Sequence, residues 1–186
     1  MKTLIIYAHP WDGSFNHHVL EVVKMRLEEK GNTIDLIDLN KDGFDPVMRP
    51  ADLKVFGKGL YADPLAEDYV KRLKNAEEII FIFPIWWYGE PAILKGFFDK
   101  VLLKGHTYQQ VGQELKGLLK VKRSAVLTSG EITREIFGYL GDPIKNVFIN
   151  GTLKMVGIDN TTWLHCPTVH DEGARIDYIE EIRAYL

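Results

Sequence analysis

Cysteine and long apolar runs are nearly absent from this sequence. Its 186 residues include one cysteine, Cys166, which excludes an internal disulfide and a cysteine-rich metal site. No apolar run reaches the roughly 20 residues of a membrane-spanning helix. The apolar part of the segment from Met1 to Tyr7 is too short for a signal peptide, so it predicts a strand. We therefore expect a protein of a reducing cytoplasm that does not insert into a membrane.

A surplus of either charge is also missing. Lys and Arg together number 23 and Asp and Glu 26, for a net charge of −3. This balance leaves no broad basic field to attract nucleic acid, so we expect no nucleic-acid partner. The apolar fraction of 46% and the charged fraction of 26% are ordinary for a globular chain. A chain of this length can bury one sizeable core, and we expect a single domain over residues 1–186.

Several common site motifs do not occur. The first predicted loop lacks the glycines of the dinucleotide fingerprint and the Gly-Lys-Ser/Thr of a P-loop. No Gly-x-Ser-x-Gly elbow is present, so an α/β-hydrolase is unsupported. No group of His, Cys and carboxylate residues has the spacing of metal ligands, and we predict no metal site.

The sequence instead contains a regular alternation of apolar strands and amphipathic helices. The run Ile79–Phe83 is apolar throughout, which is typical of a strand buried on both faces of a parallel sheet. Such alternation predicts a doubly wound α/β fold with the sheet order 2-1-3-4-5. The predicted strands are Leu4–Ala8, Thr33–Leu39, Ile79–Phe83, Ser124–Thr128 and Thr161–Cys166. The closing helix is expected to bury Ile176, Ile179, Ile182 and Tyr185.

Polar loops follow the first and fourth predicted strands. The first loop begins at His9 and ends where Ser14 can cap a helix. Free amides and the helix dipole at that point favour an anion. The other loop, Thr128-Ser129-Gly130, offers hydroxyl and amide donors. Because the carboxyl ends of parallel strands meet at one edge of the sheet, we expect these loops to share a site.

An aromatic loop follows the third predicted strand. Trp86, Trp87 and Tyr88 lie where a loop is normally polar, and Gly89 after them permits a tight turn. These aromatics could be core or dimer-interface residues, or they could hold a flat cofactor. Ser14 could likewise be only a helix cap and His9 only a polar strand end. Together, an anion site, an aromatic wall and a donor loop are typical of a flavin nucleotide site.

These motifs resemble one protein family over nearly the whole chain. His9-Pro10 through Ser14-Phe15-Asn16, and Phe83–Gly89 followed by Pro91–Gly96, are similar to the flavodoxin-like NAD(P)H:quinone oxidoreductases. The resemblance implies a flavodoxin-like fold and a homodimer. It also implies bound FAD, with FMN as the alternative, and NAD(P)H as electron donor. A quinone or similar small-molecule acceptor would then take two electrons in a ping-pong sequence.

The resemblance also assigns roles to residues. Ser14, Phe15 and Asn16 would hold the phosphate end. Pro84, Ile85, Trp87 and Tyr88 would line the isoalloxazine, and Thr128, Ser129 and Gly130 would bond its pyrimidine edge. The candidate cofactor-binding residues are His9, Ser14, Phe15, Asn16, Pro84, Ile85, Trp86, Trp87, Tyr88, Gly89, Thr128, Ser129 and Gly130.

The sequence departs from the family pattern after the fourth strand. Glu131 takes the place of a second glycine, and no histidine occurs between Gly130 and Gly151. Tyr139 is the only nearby tyrosine and the one candidate for a catalytic side chain. No Tyr/His proton relay is therefore carried over from the family to this chain, and these residues do not identify the electron acceptor. A flavin-binding ancillary subunit of a transporter and an electron carrier remain alternative functions.

Overall fold

A five-stranded parallel sheet forms the centre of the molecule. The computed structural model describes all 186 residues. The sheet order is β2-β1-β3-β6-β7, which confirms the predicted order because β6 and β7 are its fourth and fifth strands. The extra two strands, β4 and β5, form a separate antiparallel hairpin. The bounds are β1 (Lys2–Tyr7), β2 (Thr33–Asp38), β3 (Glu78–Pro84), β4 (Tyr108–Val111), β5 (Glu114–Gly117), β6 (Arg123–Ser129) and β7 (Thr161–Cys166).

Six α-helices and one π-helix connect or follow these strands. Four α-helices begin at a side-chain cap, where an oxygen of Ser14, Asp63, Thr133 or Asp171 accepts a first-turn N–H. None of the helices has both the length and the apolar character that a bilayer span requires. The bounds are α1 (Phe15–Glu29), α2 (Pro50–Phe56), α3 (Pro64–Asn75), α4 (Ala92–Val101), α5 (Arg134–Tyr139), the π-helix (Ile144–Leu153) and α6 (Glu172–Tyr185).

The sheet separates two apolar cores, and β3 contributes to both. Helices α3 and α4 and the π-helix pack on one face, and α1 and α6 pack on the other. Alternate residues of a strand point to opposite faces, so Phe81 lies in the first core and Ile82 in the second. All of β3 is buried. Coverage of both faces explains why the run Ile79–Phe83 contains no polar residue.

The buried side of α6 differs from the prediction. Tyr178, Ile179 and Ile182 are buried, whereas Ile176 is 53% exposed. The prediction followed a spacing of three residues, but an α-helix has 3.6 residues per turn. Each step of three therefore rotates the side chain by roughly 60° from the buried direction. Ile176 consequently lies at the edge of the helix, facing a surface cleft.

The segment between β2 and α3 is anchored to α4. The buried Lys100 ammonium donates to the Asp63 carboxylate at 2.6 Å and to the Asp45 carbonyl at 2.9 Å. At Gly96 the backbone of the same segment approaches so closely that a Cβ there would overlap Pro46. The absence of a side chain at Gly96 therefore permits this contact.

We expect Gly96→Ala to lower the free energy of unfolding by about 1–3 kcal/mol, because the new methyl group overpacks against Pro46. Gly138→Ala is the matched control. Gly138 is also helical, and a Cβ there would meet nothing, so this variant should be neutral or more stable by up to about 1 kcal/mol. Urea unfolding measures both values. Equal stability of the two variants would show that the backbone at Pro46 shifts to make room for the new methyl group.

Candidate functional site

Three strand ends meet in one cleft. Tyr7 pairs with Ile82 and Pro84 with Ser129, so the chain leaves β1, β3 and β6 at the same edge of the sheet. The cleft there has a volume of about 510 Å³, within the range of small-molecule sites. Most of the predicted cofactor-binding residues line it: His9, Ser14, Phe15, Asn16, Pro84, Ile85, Trp86, Ser129 and Gly130.

The other predicted residues lie outside this cleft. Trp87 and Tyr88 border an adjacent space of about 220 Å³, which shares Ile85 and Glu131 with the cleft. Gly89 and Thr128 line neither space. Tyr139, the candidate catalytic residue, is 91% exposed at the end of α5 and also lines neither.

One end of the cleft is the N-terminus of α1. Ser14 caps this helix, since its Oγ accepts the His17 N–H at 3.1 Å. The N–H groups of Phe15 and Asn16 make no hydrogen bond within the protein. Unpaired first-turn amides and the positive end of the helix dipole together make a site for an anion such as phosphate.

His9 adds a directed donor to this end. Its Nδ1 accepts the Trp11 backbone N–H at 3.1 Å, so in the neutral ring the proton is on Nε2. Partial burial lowers the pKa of His9 below its usual value, which favours that neutral form at pH 7. The Nε2–H group is therefore the one available to a ligand.

A buried hydrogen bond joins the α1 end to the loop after β6. The Asn16 side-chain amide donates to Ser129 Oγ at 2.9 Å, and both residues are buried. Because Ser129 Oγ accepts from Asn16, its own proton remains available to donate. The bond thus positions a hydroxyl donor in the cleft.

The aromatic loop is a strained turn. Trp86 and Gly89 exchange two backbone hydrogen bonds, of 3.0 and 3.2 Å. The two central residues, Trp87 and Tyr88, have φ of +50° and +65°, as in a type I′ turn. Such angles are uncommon for bulky residues. Trp87 is 96% exposed, so the turn holds this ring away from the core.

Thr128 contributes to a buried network instead of the cleft. Its Oγ1 accepts the Trp163 indole N–H at 2.8 Å and donates to His165 Nδ1 at 2.8 Å. His165 Nε2–H in turn donates to the Ile132 carbonyl at 2.7 Å. The expectation that the Thr128 hydroxyl faces a ligand was therefore wrong, because the alternation of side chains along β6 points it towards Trp163 and His165.

The amides after β6 also differ from the expectation. The Gly130 N–H donates to the Cys166 carbonyl at 3.1 Å, which extends the pairing with β7. That amide is therefore not free for a ligand. The next one, the N–H of Glu131, makes no hydrogen bond within the protein. Glu131, next to the predicted Gly130, therefore carries an unpaired backbone N–H in a residue that lines the cleft.

Six residues that line the cleft were not predicted as site residues from the sequence: Trp11, Gly13, Glu131, Val169, His170 and Arg175. Trp11 was assigned no role, but its indole packs over Gly13, where a Cβ would overlap the ring. Glu131 and Arg175 also line the cleft. The sequence clue to Trp11 as a cleft residue was its aromatic side chain in the same loop as His9 and Gly13. Arg175 had no such clue, because it reaches the cleft only through the packing of α6 beside α1.

A second cleft adjoins the first. Its volume is about 460 Å³ and it lies between α1 and α6. Gly13, Ser14, Phe15 and Arg175 border both clefts. The Arg175 guanidinium lies 6.0 Å from the centre of the Phe15 ring. The exposed Ile176 lines the second cleft. Because the two clefts adjoin, together they offer room for a ligand larger than one nucleotide.

Several known proteins are similar to this chain in sequence or in fold. A family model described as a flavodoxin-like fold matches residues 1–186. An NAD(P)H oxidoreductase from Haemophilus influenzae is 31% identical, over 97% of this chain and 91% of that protein. The NAD(P)H:quinone oxidoreductase from Methanothermobacter marburgensis superimposes with a TM-score of 0.87 at 27% identity, over 99% of this chain and 96% of that one. A crystal structure from Streptococcus mutans gives a TM-score of 0.86 at 30% identity, over 100% and 98% of the two chains.

The chain belongs to the flavodoxin-like NAD(P)H:quinone oxidoreductase family. The resemblance seen in the sequence is thereby confirmed, and the protein is an oxidoreductase. Another relative, the human ribosyldihydronicotinamide dehydrogenase (quinone), is 31% identical over 75% of this chain and 68% of its own length. Within the family fold, the motifs at His9–Asn16 and Pro84–Trp86 are the ones that meet at the cleft.

The buried His165 predicts a pH-dependent stability. Burial lowers the pKa of His165 below its usual value of about 6.5. The unfolded chain therefore binds a proton that the folded protein does not, once the pH falls below about 6.5. We expect this contribution to the free energy of unfolding to be intact above that pH. It should be lost as the pH falls, by at most about 1.4 kcal/mol per unit, until the folded pKa is reached.

His165→Gln tests this expectation. A glutamine has both a donor and an acceptor, but it does not titrate. Urea unfolding between pH 5 and 7.5 should give the variant a shallower loss of stability at acid pH than the wild type. Parallel pH profiles for the two proteins would contradict a buried, neutral His165.

Proposed function

We propose that this oxidoreductase uses a bound flavin to pass two electrons from NAD(P)H to a quinone or similar small acceptor. The observation that carries the proposal is the single cleft in which the α1 N-terminus, the base of the aromatic loop and the end of β6 meet. The names of the NAD(P)H oxidoreductase and quinone dehydrogenase relatives support the same donor and acceptor classes.

The donors in the cleft fit a flavin nucleotide. The unpaired amides of Phe15 and Asn16 and the Nε2–H of His9 suit a phosphate group. The Ser129 hydroxyl and the Glu131 amide suit the carbonyl and nitrogen acceptors of a heteroaromatic ring. A bound flavin supplies hydride acceptance and two-electron donation. The protein's part is to hold these donors in place and to limit access to one side.

Access to one side favours a ping-pong sequence. Pro84 and Ile85 are buried at the end of β3 and close one wall of the cleft. NAD(P)H and the acceptor would then use the open side in turn, since hydride transfer needs near-contact geometry. The Glu131 N–H and the Ser129 O–H are the groups that would stabilise negative charge during reduction.

Anaerobic reduction tests the proposed function. The purified protein should be yellow or take up FAD or FMN on titration, and NAD(P)H alone should bleach the bound flavin. With menadione as acceptor, double-reciprocal plots should give parallel lines. A protein that binds neither flavin would overturn the proposal. Intersecting lines would reject only the ping-pong sequence.

We further propose that the flavin is FAD. The second cleft adjoins the phosphate-binding end of the first at Ser14 and Phe15. Phe15 and Ile176 supply apolar surface for an adenine ring, and Glu172 offers a carboxylate for ribose hydroxyls. Arg175, at the border of the two clefts, suits the diphosphate.

Ile176→Ser separates FAD from FMN. Removing apolar surface from the second cleft should raise the FAD dissociation constant about fivefold, since burying a side chain of this size contributes on the order of 1 kcal/mol or more. The FMN dissociation constant should stay the same. Met25→Ser, an exposed apolar position on α1 that lines neither cleft, is the control and should change neither constant. Equal effects on FAD and FMN would reject the adenosine assignment.

Two aspects of the assembly belong to the same proposal. Residues 1–186 would act as one flavin-binding domain, and two copies would form a homodimer. The aromatic side chains of Trp87 and Tyr88 and the aliphatic ones of Val47 and Leu53 are exposed, and an interface with a second copy would cover them. The segment between β2 and α3 and the aromatic turn would then contribute to the interface.

A further inference from the structure

The cleft is lined by residues of both charge signs. The unpaired amides of Phe15 and Asn16 and the guanidinium of Arg175 make one end positive. Glu131 lines the same cleft at the loop after β6, and it also borders the space in front of Trp87 and Tyr88. A ligand in the space by the aromatic turn therefore meets a carboxylate, whereas one at the α1 end meets donors.

The backbone of Glu131 is held on both sides. The preceding residue, Gly130, donates its N–H to the Cys166 carbonyl and accepts from Val169 N–H at 3.3 Å. Glu131 itself pairs with Thr168 in an isolated antiparallel bridge. These contacts tie the loop to the chain after β7, so the position from which the side chain extends is well defined.

The carboxylate of Glu131 is oriented but not neutralised. Its Oε1 accepts the His170 backbone N–H at 3.2 Å. No Lys or Arg lies within salt-bridge distance; the nearest cationic candidate is the exposed His170 ring, whose Nε2 is 4.0 Å away. The side chain is 49% exposed. Glu131 thus borders both spaces with no Lys or Arg paired to its carboxylate.

We propose, on the basis of the function proposed above, that Glu131 determines acceptor specificity by repelling anionic acceptors. Neutral or cationic quinones enter the space bordered by Trp87 and Tyr88, and acceptors with a sulfonate or carboxylate are disfavoured. Two like charges about 8 Å apart in a partly solvated cleft change an affinity by roughly threefold to tenfold. The effect weakens as salt screens the charges.

The variant Glu131→Gln tests this inference with little change in shape. Glutamine keeps a side-chain oxygen that can accept the His170 N–H, so the loop contact is retained while the charge is removed. Glu135→Gln is the matched control. It removes the same charge from a nearby exposed residue that lines neither the cleft nor the adjacent space.

The first measurement compares two acceptors, menadione and 1,4-naphthoquinone-2-sulfonate. The ratio of kcat/KM for the sulfonate to that for menadione should rise about threefold to tenfold in Glu131→Gln at low ionic strength. It should stay at the wild-type value in Glu135→Gln. The rise should shrink at about 0.5 M salt, where the Debye length is only a few Å.

The second measurement needs no turnover. Quenching of tryptophan fluorescence in the oxidised protein gives the dissociation constant of each quinone without NAD(P)H. Glu131→Gln should bind the sulfonate more tightly relative to menadione by the same factor. An unchanged binding ratio, or an equal change in Glu135→Gln, would overturn the inference. Absence of menadione turnover in the wild type would instead contradict the proposed function. The ratio of the two quinone dissociation constants would still decide the role of Glu131.

Discussion

The burial of β3 on both faces is the constraint on which the rest of the structure depends. A strand covered on both sides must lie inside a sheet, with parallel neighbours joined to it by crossover helices. Its neighbours are β1 and β6. Because all three strands run the same way, their following loops leave at one edge. The position of the cleft therefore follows from the apolar run Ile79–Phe83, which itself lines no part of the cleft.

The chemistry of the cleft follows from which backbone groups the fold leaves unpaired. Buried amides are nearly always hydrogen-bonded, and here the β7 pairing takes the N–H of Gly130. The amides of Phe15 and Asn16 remain because a helix begins there. The Glu131 amide remains because the chain after β7 bonds to the Gly130 carbonyl and not to the Glu131 N–H. The Asn16–Ser129 bond then joins these two groups of donors across the cleft. Two short segments, joined to each other, thus present donors to one space.

The sequence was sufficient for those features that local pattern determines. The five sheet strands, their order and most of the cleft residues followed from apolar runs, breakers and helix caps. The side-chain direction of Thr128 did not, because it depends on how Trp163 and His165 of β7 pack beside it. Arg175 and Ile176 were missed or misplaced for a similar reason: their environment is set by the packing of α6 against α1, which no local pattern encodes.

The aromatic turn shows a conflict between local preference and tertiary structure. A type I′ turn favours Asn and Gly at its centre, yet this chain places Trp87 and Tyr88 there with positive φ. Each such angle costs on the order of 1 kcal/mol for a residue with a Cβ. Two backbone hydrogen bonds between Trp86 and Gly89, and the rigid β3 and α4 on either side, offset this cost. A relaxed turn with the same sequence would direct these rings differently. The strain therefore keeps two large side chains exposed beside the cleft, where packing against the core would otherwise have hidden them.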